Sequence, residues 1–143
     1  MGIADASGTM MSTEDTSIDV SDRAYYIKSM NGENAVSDPI ISKHDGSVII
    51  CFGVPIKENG QIVASMIAVR EGTTLSDVVD DINFGQSGKA FVINKDGTTI
   101  AHYDEEQVIN MFNAIDSSKE DLSYASLAQL KKQMLEGHKG SSR

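Results

Sequence analysis

Cysteine is almost absent from this chain: Cys51 is the one cysteine among 143 residues. A single thiol forms neither an internal disulfide nor a zinc cluster, so the chain must rely on an ordinary buried core. Cys51 lies in the apolar run SVIICFGV, which favours a buried, inert thiol. Basic residues are scarce too. Twelve Lys and Arg against 21 Asp and Glu give a formal charge of -9, which disfavours nucleic acid as a partner.

Long apolar runs are also missing. The longest stretches, VIICFGVPI and IVASMIAV, fall far below the roughly 20 residues that a spanning helix needs, so we expect no membrane span here. The first residues lack the basic segment and long apolar segment of a signal peptide. No nucleophile, base and orienting group stand at a recognisable spacing, and no phosphate loop is present. We therefore predict neither an enzyme nor a bound cofactor.

Four turn signals organise the chain. Each is a small polar residue followed by Gly and a β-rich run: Ser7-Gly8, Asp45-Gly46, Asn59-Gly60 and Asp96-Gly97. Because such pairs supply the positive φ of tight hairpins, they predict an antiparallel meander. The two central runs are apolar at nearly every position, which predicts a sheet covered on both faces. The segments IADASGTMM (3–11) and VINKDGTTI (92–100) also match weakly, either by chance or as the starts of two modules.

Three segments carry helical patterns. Residues 74–84 are amphipathic, with Thr74 and Asp77 at capping-box spacing, and residues 104–112 place acids in a first turn. Residues 117–137 open with Ser118 and Asp121 at capping spacing and close on a glycine. The AHYDEE segment at 101–106 has the residue types of a metal site. Consecutive acids that open a helix are better explained by the helix dipole, so we predict no metal site.

The order of several segments resembles a known family. DVSDRAYY, NAVSDPIIS, GVPI and NG, then TLSDVV and GQSGKAFVINKDGTTIAHYDEE, are similar to the double Cache sensory domain of bacterial chemoreceptors, sensor kinases and cyclic-nucleotide signalling enzymes. The likeness runs over nearly the whole chain. It implies an α/β (α+β) fold: a PAS-like antiparallel sheet module with flanking helices, followed by an incomplete second PAS-like module.

The resemblance also implies an organisation. We expect a membrane-distal module with its linking helix at residues 1–84 and a partial membrane-proximal module at residues 85–143. The family's long N-terminal helix, membrane segments and output domain are not in this sequence. The resemblance therefore implies a truncated extracytoplasmic part of a membrane-anchored receptor, and it is compatible with a homodimer.

Arg23 is central to the candidate site. Its guanidinium offers a planar fork of donors suited to a carboxylate, and such a pair is strong in a pocket shielded from water. The residues alone also allow a surface arginine on a short helix that pairs with Asp19 or Asp22. The resemblance favours ligand binding, because the family's ligand-binding arginine falls at this place in the motif.

Two aromatic rings and a turn carboxylate accompany Arg23. Tyr25 and Tyr26 offer amphipathic walls, but adjacent residues cannot both face inward. The resemblance favours Tyr25 for the pocket and leaves Tyr26 for the core, because amino-acid-binding relatives carry an aromatic residue two positions after the arginine. Asp38, restricted by Pro39, either receives a ligand ammonium or bonds its own backbone in a turn.

Two departures from the family pattern bear on the ligand. Amino-acid-binding relatives carry a Tyr where this sequence has Val36, and a second Asp where it has Val69 and Arg70. A small organic acid without a required amine is therefore compatible, and Arg70 can supply a second positive contact. The candidate ligand-binding residues are Arg23, Tyr25, Tyr26, Ser37, Asp38, Phe52 and Arg70.

Three classes of function are carried forward from the sequence. The first is an extracytoplasmic sensor domain that binds a small carboxylate or an amino-acid-like metabolite in its distal module. The second is a ligand-free structural or dimerising module of a membrane receptor. The third is a free-standing cytoplasmic enzyme or a PAS-type cofactor binder, which no residue pattern here promotes.

Overall fold

The first of two compact units contains most of the sheet. In the computed structural model, which describes residues 1–85 and 87–139, the chain divides into Met1–Gly72 and Thr73–Arg143. The elements of the first unit are β1 (Gly2–Asp5), β2 (Thr9–Ser12), β3 (Ser17–Asp19), α1 (Ala24–Met30), β4 (Ala35–Val36), β5 (Ile40–Ile41), β6 (Val48–Glu58) and β7 (Gln61–Glu71). All strand pairs among them are antiparallel.

The sheet has the strand order β3-β2-β1-β7-β6-β4, and β5 also pairs with β6. The four turn signals each lie between paired strands, so the predicted hairpins are confirmed. The glycines take the positive φ that such turns need, with values of 86° at Gly8 and 85° at Gly97. The simple meander is wrong at the centre, because β1 pairs with β7 as well as with β2.

Helix α1 packs on the face of the sheet formed by β4, β6 and β7. A Cβ at Gly53 would lie 2.6 Å from the Tyr25 carbonyl oxygen, so the helix backbone approaches the sheet where β6 has no side chain. Beside this crossing the buried Ser65 Oγ donates to Ser29 Oγ at 2.7 Å. The core beneath the helix comprises Ala4, Met10, Val20, Tyr25, Tyr26, Ala35, Cys51 and Ile67.

The two faces of the central hairpin are buried to different degrees. Cys51 and Ile67, on the face under α1, are 1% and 0% exposed. On the other face Phe52, Val54 and Met66 are 37%, 39% and 42% exposed. The expectation of a sheet covered on both faces is therefore wrong at these positions, and an unbroken apolar run did not require cover on both sides.

The second unit is built from short elements. They are α2 (Thr74–Asp80), β8 (Asn83–Phe84), β9 (Gly88–Lys89), β10 (Phe91–Ile93), β11 (Thr99–His102), α3 (Glu106–Ile109), α4 (Ala114–Ser117), a 3-10 helix (Leu122–Tyr124) and α5 (Ala125–Leu135). Strands β8 and β9 form one two-stranded sheet, and β10 and β11 form another. The weak repeat between residues 3–11 and 92–100 coincides with two antiparallel hairpins, β1–β2 and β10–β11.

The helices are shorter than the sequence predicted. Helix α2 ends at Asp80 and its N-cap is Thr73, one residue before the predicted cap at Thr74. The segment 104–112 is helical only in α3. The segment 117–137 divides into the 3-10 helix, which Asp121 caps by accepting from the Ser123 amide, and α5. None of the helices within 1–85 and 87–139 is long and apolar enough to cross a bilayer.

The predicted modules and the compact units divide the chain at different places. We predicted a boundary after residue 84, whereas the first compact unit ends at Gly72. Helix α2 packs on β11 and so is part of the second unit. The predicted module boundary itself stays a prediction, and Gln86, beside it in the GQSGKA segment, lies outside the described residues.

Candidate ligand cavity of the first unit

A cavity of about 210 Å³ opens beside the N-terminal end of α1. Its inner wall is the core face of β6 and β7, and its rim is formed by the β2–β3 turn and the β5–β6 hairpin. The lining residues are Met1, Met10, Ser12, Thr13, Glu14, Thr16, Ile18, Val20, Arg23, Tyr25, Ile40, Ser42, Lys43, His44, Asp45, Ser47, Ile49, Cys51, Ile67 and Val69. The wall is thus apolar and the rim is charged.

Arg23 enters the cavity from the residue that precedes α1. It is the N-cap of the helix, with extended backbone angles of φ -83° and ψ 128°, and it is half-buried. Its Nη2 donates to the Ile41 carbonyl oxygen at 3.0 Å. Within the described chain no carboxylate forms a salt bridge with Arg23. A guanidinium carries five N–H donors, so this one retains donors for a bound anion.

Lys43 occupies the partners that the surface interpretation had assigned to Arg23. Its Nζ lies 2.6 Å from Asp22 Oδ1 and donates to the Asp19 carbonyl oxygen at 3.0 Å. The hydrogen bond from Lys43 is the main reason that the pKa of Asp22 is lowered. Arg23 thus forms no salt bridge with Asp19 or Asp22, although its charge also contributes to the lowered pKa of Asp22.

The two adjacent tyrosines have different surroundings. Both are buried, with 6% of each exposed, so the expectation that they could not both face inward is wrong. Tyr25 lines the cavity, and burial raises its pKa. Tyr26 does not line the cavity, and its hydroxyl donates to the Asp5 carbonyl oxygen at 2.8 Å. Burial also raises the pKa of the Cys51 thiol on the cavity wall.

The rim carries charges of both signs. Glu14 comes from the β2–β3 turn, and Lys43, His44 and Asp45 come from the β5–β6 hairpin. Hydrogen bonds from the hydroxyl of Ser47, and then of Ser42, hold the pKa of Asp45 at about 2. This carboxylate is therefore ionised at neutral pH, and it lines the same cavity as Lys43 and Arg23.

Ser37 and Asp38 lie outside the cavity lining. Ser37 Oγ accepts from the Cys51 amide at 2.9 Å, and the Ser37 amide donates to the Cys51 carbonyl oxygen at 2.8 Å. Its hydroxyl thus holds β6 in place. Asp38 is exposed and is followed by the buried Pro39. Neither position reaches the cavity that Arg23 and Tyr25 line.

Phe52 and Arg70 lie on the opposite face of the sheet from the cavity. Cys51 and Val69 are cross-strand partners that line it, and Phe52 and Arg70 are the next residues along each strand. Because successive side chains of a strand point to opposite faces, these two point away. Of the seven candidates, the structure brings Arg23 and Tyr25 to the cavity, and their binding of a ligand stays a prediction.

The sequence interpretation missed the charged rim residues. Glu14 stands in the β2–β3 turn and Lys43, His44 and Asp45 stand in the β5–β6 hairpin, and the long-range pairing of β1 with β7 joins these two hairpins in one sheet. The Asp45-Gly46 turn signal was the available clue, since it placed a hairpin tip at this point. Within the described chain no group of three or more His, Cys, Asp or Glu side chains could hold a metal ion.

The sequence model of the Cache domain family matches residues 1–141. The chain belongs to the Cache domain family. The resemblance noted in the sequence is thus confirmed. This Cache domain has a mixed α/β fold with an antiparallel sheet and flanking helices, as predicted.

Individual relatives come from bacterial chemotaxis. Methyl-accepting chemotaxis protein McpB of Bacillus subtilis is 32% identical over 82 residues, which are 56% of this chain and 12% of that protein. Among solved structures, the ligand-binding domain of Mlp24 with asparagine matches with a TM-score of 0.57 and 25% identity, over 78% of this chain and 49% of that one. The ligand-binding domain of the Pseudomonas aeruginosa PAO1 chemoreceptor PctC with GABA gives 0.62 and 20%, over 82% and 55%.

The length of the match differs between these comparisons. This Cache domain spans 12% of McpB and about half of the two solved ligand-binding domains, 49% and 55%. It is therefore similar to part of a receptor's sensory region, and the likeness to PctC shows the fold alone.

Proposed function

We propose that this Cache domain is the ligand-binding sensor domain of a bacterial chemotaxis receptor. We further propose that it binds a small carboxylate or amino-acid-like metabolite in the cavity of its first unit. The observation that carries the proposal is Arg23, a half-buried guanidinium on the wall of a cavity of about 210 Å³, without a carboxylate partner in the described chain. The chemotaxis relatives and the asparagine-bound Mlp24 domain support it.

The size of the cavity suits a small metabolite. A volume of about 210 Å³ exceeds the roughly 150 Å³ of an engineered cavity that binds benzene. Tyr25 and the aliphatic residues of β6 and β7 would pack against the apolar part of such a molecule. The ligand would displace water from the cavity and leave the guanidinium with a charged partner.

Different polar groups of the cavity would bind the carboxylate and the ammonium of a ligand. Arg23 would bind the carboxylate, because its planar fork matches two oxygens at once. Glu14 and Asp45 line the same cavity and would receive an ammonium if the ligand has one. Asp38, which the sequence suggested for that role, is exposed and does not line the cavity. Amine recognition therefore depends on the rim.

Replacing Arg23 tests the carboxylate contact. Amino acids and small carboxylates are first screened by thermal shift, since a ligand that binds only the folded state raises the melting temperature. For the best ligand, Arg23→Ala should weaken binding by about 2 to 5 kcal/mol, which is more than tenfold, by isothermal titration. Arg70→Ala is the matched control, because Arg70 is exposed and lies on the opposite face of the sheet.

The results distinguish this proposal from its alternative. Equal affinities of the parent protein and Arg23→Ala for the ligand would show that Arg23 does not contribute to binding. Silence across the whole screen would favour the ligand-free structural module. A pair such as L-alanine and propionate, which differ only by the amine, measures how much the rim carboxylates contribute. If Glu14→Gln and Asp45→Asn weaken L-alanine and leave propionate unchanged, the amine is recognised there.

We place this domain outside the cytoplasmic membrane as part of a membrane-anchored receptor without catalytic activity of its own. The chemotaxis relatives support its being part of a longer receptor, since this Cache domain covers only a part of their length. The reading frame around this segment in the genome should then encode membrane-spanning helices. A frame that encodes no such helix on either side would contradict the placement.

A further inference from the structure

The second unit buries a lysine without an acidic partner. Lys131, on α5, is 2% exposed, and no carboxylate of residues 1–85 and 87–139 forms a salt bridge with it. Its Nζ donates to Thr99 Oγ1 at 2.9 Å and to the Gly97 carbonyl oxygen at 3.4 Å. In a chain with 21 acidic residues, an ammonium surrounded only by neutral groups is unusual. Buried charges are ordinarily paired, because removing them from water is costly.

Aromatic rings provide the remaining contacts of this ammonium. Nζ lies 5.1 Å from the centre of the Phe112 ring and 5.9 Å from that of Phe91. Such contacts are favourable but weak beside a full ion pair. Desolvation lowers the pKa of Lys131, as expected for a cation whose hydration has not been fully replaced.

A small cavity of about 40 Å³ adjoins Lys131. About 10–15 Å³ of such volume accommodates one water, so this cavity accommodates an ion or a molecule of a few heavy atoms. Its lining consists of Phe91, Thr99, His102, Gln107, Phe112, Leu127 and Lys131. None of these residues is acidic. The cavity therefore joins a cation, neutral polar groups and apolar side chains.

His102 adds a second donor to the cavity lining. The Asp104 amide donates to His102 Nδ1 at 3.0 Å, and this contact is shorter than the 3.2 Å between Nδ1 and the Asp104 carbonyl oxygen. With Nδ1 as acceptor, the neutral imidazole carries its proton on Nε2. Gln107 contributes a side-chain amide. The polar part of the lining is thus rich in donors.

We propose that the second unit contains a separate site for a small monovalent anion of formate or acetate size, held by Lys131 together with His102 and Gln107. The anion would complete the ion pair that Lys131 lacks and form charge-assisted hydrogen bonds. Leu127 and the two phenylalanines would accept a methyl group such as that of acetate. This site is distinct from the cavity around Arg23 and does not depend on the proposed function of that cavity.

The test compares two anions on the full chain. Melting temperatures are measured in chloride-free buffer with sodium acetate or, at equal ionic strength, sodium gluconate, which is too large for a cavity of about 40 Å³. Acetate should raise the melting temperature by a few degrees more than gluconate, because it binds only the folded state. In the Arg23→Ala background, where the first cavity lacks its carboxylate contact, Lys131→Met, which keeps an unbranched side chain but removes the charge, should abolish this difference.

The Arg23→Ala variant separates the two sites. If the acetate effect persists in Arg23→Ala and disappears when Lys131→Met is added to it, the anion binds in the second unit, even if the first cavity has no ligand at all. Equal effects of acetate and gluconate on the parent protein would overturn the proposal. So would an acetate effect that the Arg23→Ala, Lys131→Met double variant retains.

A crystallographic measurement covers the case in which Lys131→Met does not fold. Crystals of the parent protein soaked in bromide should show an anomalous peak within hydrogen-bonding distance of Lys131 Nζ. Absence of a peak in this cavity at saturating bromide would overturn the proposal.

Gln107→Leu, which removes an amide at the cavity wall, should weaken the binding of acetate at least severalfold without removing the buried charge.

Discussion

Lys43 takes the carboxylate that lies nearest to Arg23 in sequence. Its ammonium lies 2.6 Å from Asp22, at a rim where both side chains are partly exposed. An exposed ion pair of this kind adds little to stability. Its consequence for the cavity is larger, because Asp22 is engaged and Arg23 keeps donors for a ligand. A lysine from the β5–β6 hairpin thus takes the salt bridge that Arg23 lacks.

Asp45 gives the first unit a defined response to acid. Ser47 donates to Asp45 Oδ1 from its hydroxyl at 2.8 Å and from its amide at 3.1 Å, and these bonds favour the ionised carboxylate. The pKa of Asp45 in the folded state is about 2, against 3.8 for an unperturbed aspartate side chain. Because the unfolded chain binds the proton more readily, the contribution of Asp45 to stability is complete above pH about 4 and is lost as the pH falls to about 2.

We expect Asp45→Asn to flatten this part of the pH profile. The difference in unfolding free energy between the parent protein and the variant, from urea titrations, should shrink as the pH falls from about 4 to about 2. Ser47→Ala should act in the same direction, because it removes the largest cause of the pKa shift. A constant difference across this pH range would show that the hydroxyl bonds do not select the ionised form.

The crossing of α1 over β6 depends on a missing side chain. At Gly53 an added Cβ would meet the Tyr25 carbonyl oxygen at 2.6 Å and the Ser29 Cβ at 3.3 Å. Both neighbours belong to the helix, and the closer one is a backbone atom that cannot turn away. The same helix carries Tyr25 on the cavity wall. The packing position of α1 on the sheet therefore affects the shape of the cavity.

Gly53→Ala should destabilise the protein by about 1 to 3 kcal/mol, because the added methyl group overpacks the helix against the sheet. The measurement is urea unfolding, and Val54→Ala, at the exposed neighbouring position on β6, is the control, with an expected change within about 0.5 kcal/mol. The variant should also bind the ligand of the first cavity more weakly, since Tyr25 moves with the helix. An unchanged stability would mean that the helix is not seated at this glycine.

Some elements could be predicted from the sequence because a local cause specifies them. Turns that require positive φ are marked by Gly, and the hairpins at Ser7-Gly8 and Asp96-Gly97 follow directly. Helix ends depend on weaker preferences, so α2 ends at Asp80, earlier than its apolar periodicity suggested. The central pairing of β1 with β7 is a long-range contact that no local sequence signal predicts.

The candidate site was also predictable only where a local sequence signal marks a residue. Arg23 and Tyr25 were found through a short motif and its family resemblance, and both line the cavity. Phe52 and Arg70 were misplaced because a shift of one residue along a strand reverses the face, and an apolar run conceals which face is which. Lys43 was missed because only the long-range pairing of β1 with β7 brings its hairpin into the same sheet as the β2–β3 turn across the cavity.

At the scale of the whole molecule, the two units differ in how their backbones are bonded. Strands β6 and β7 have 11 residues each and stand in a seven-stranded sheet. In the second unit β10 has 3 residues and β11 has 4, and they form a sheet of their own. Two-stranded pairs are only marginally stable by themselves. The resistance to local opening should therefore be unequal along the chain.

Hydrogen exchange should show this difference directly. We expect the amides of β7 to exchange at least about tenfold more slowly than those of β10 and β11, because opening the long central ladder breaks more bonds at once. Exchange followed by mass spectrometry on the full chain measures both regions in one sample, so each serves as the reference for the other. Equal protection in the two regions would contradict the expectation.

Cys51 gives the first cavity an intrinsic chemical reporter. It is the one thiol of the sequence, it forms part of the cavity wall, and it is 1% exposed. An alkylating reagent can reach the Cys51 thiol only when the cavity wall opens. The rate of labelling therefore reports how often the wall opens, without any engineered probe. An occupant of the cavity would slow this labelling.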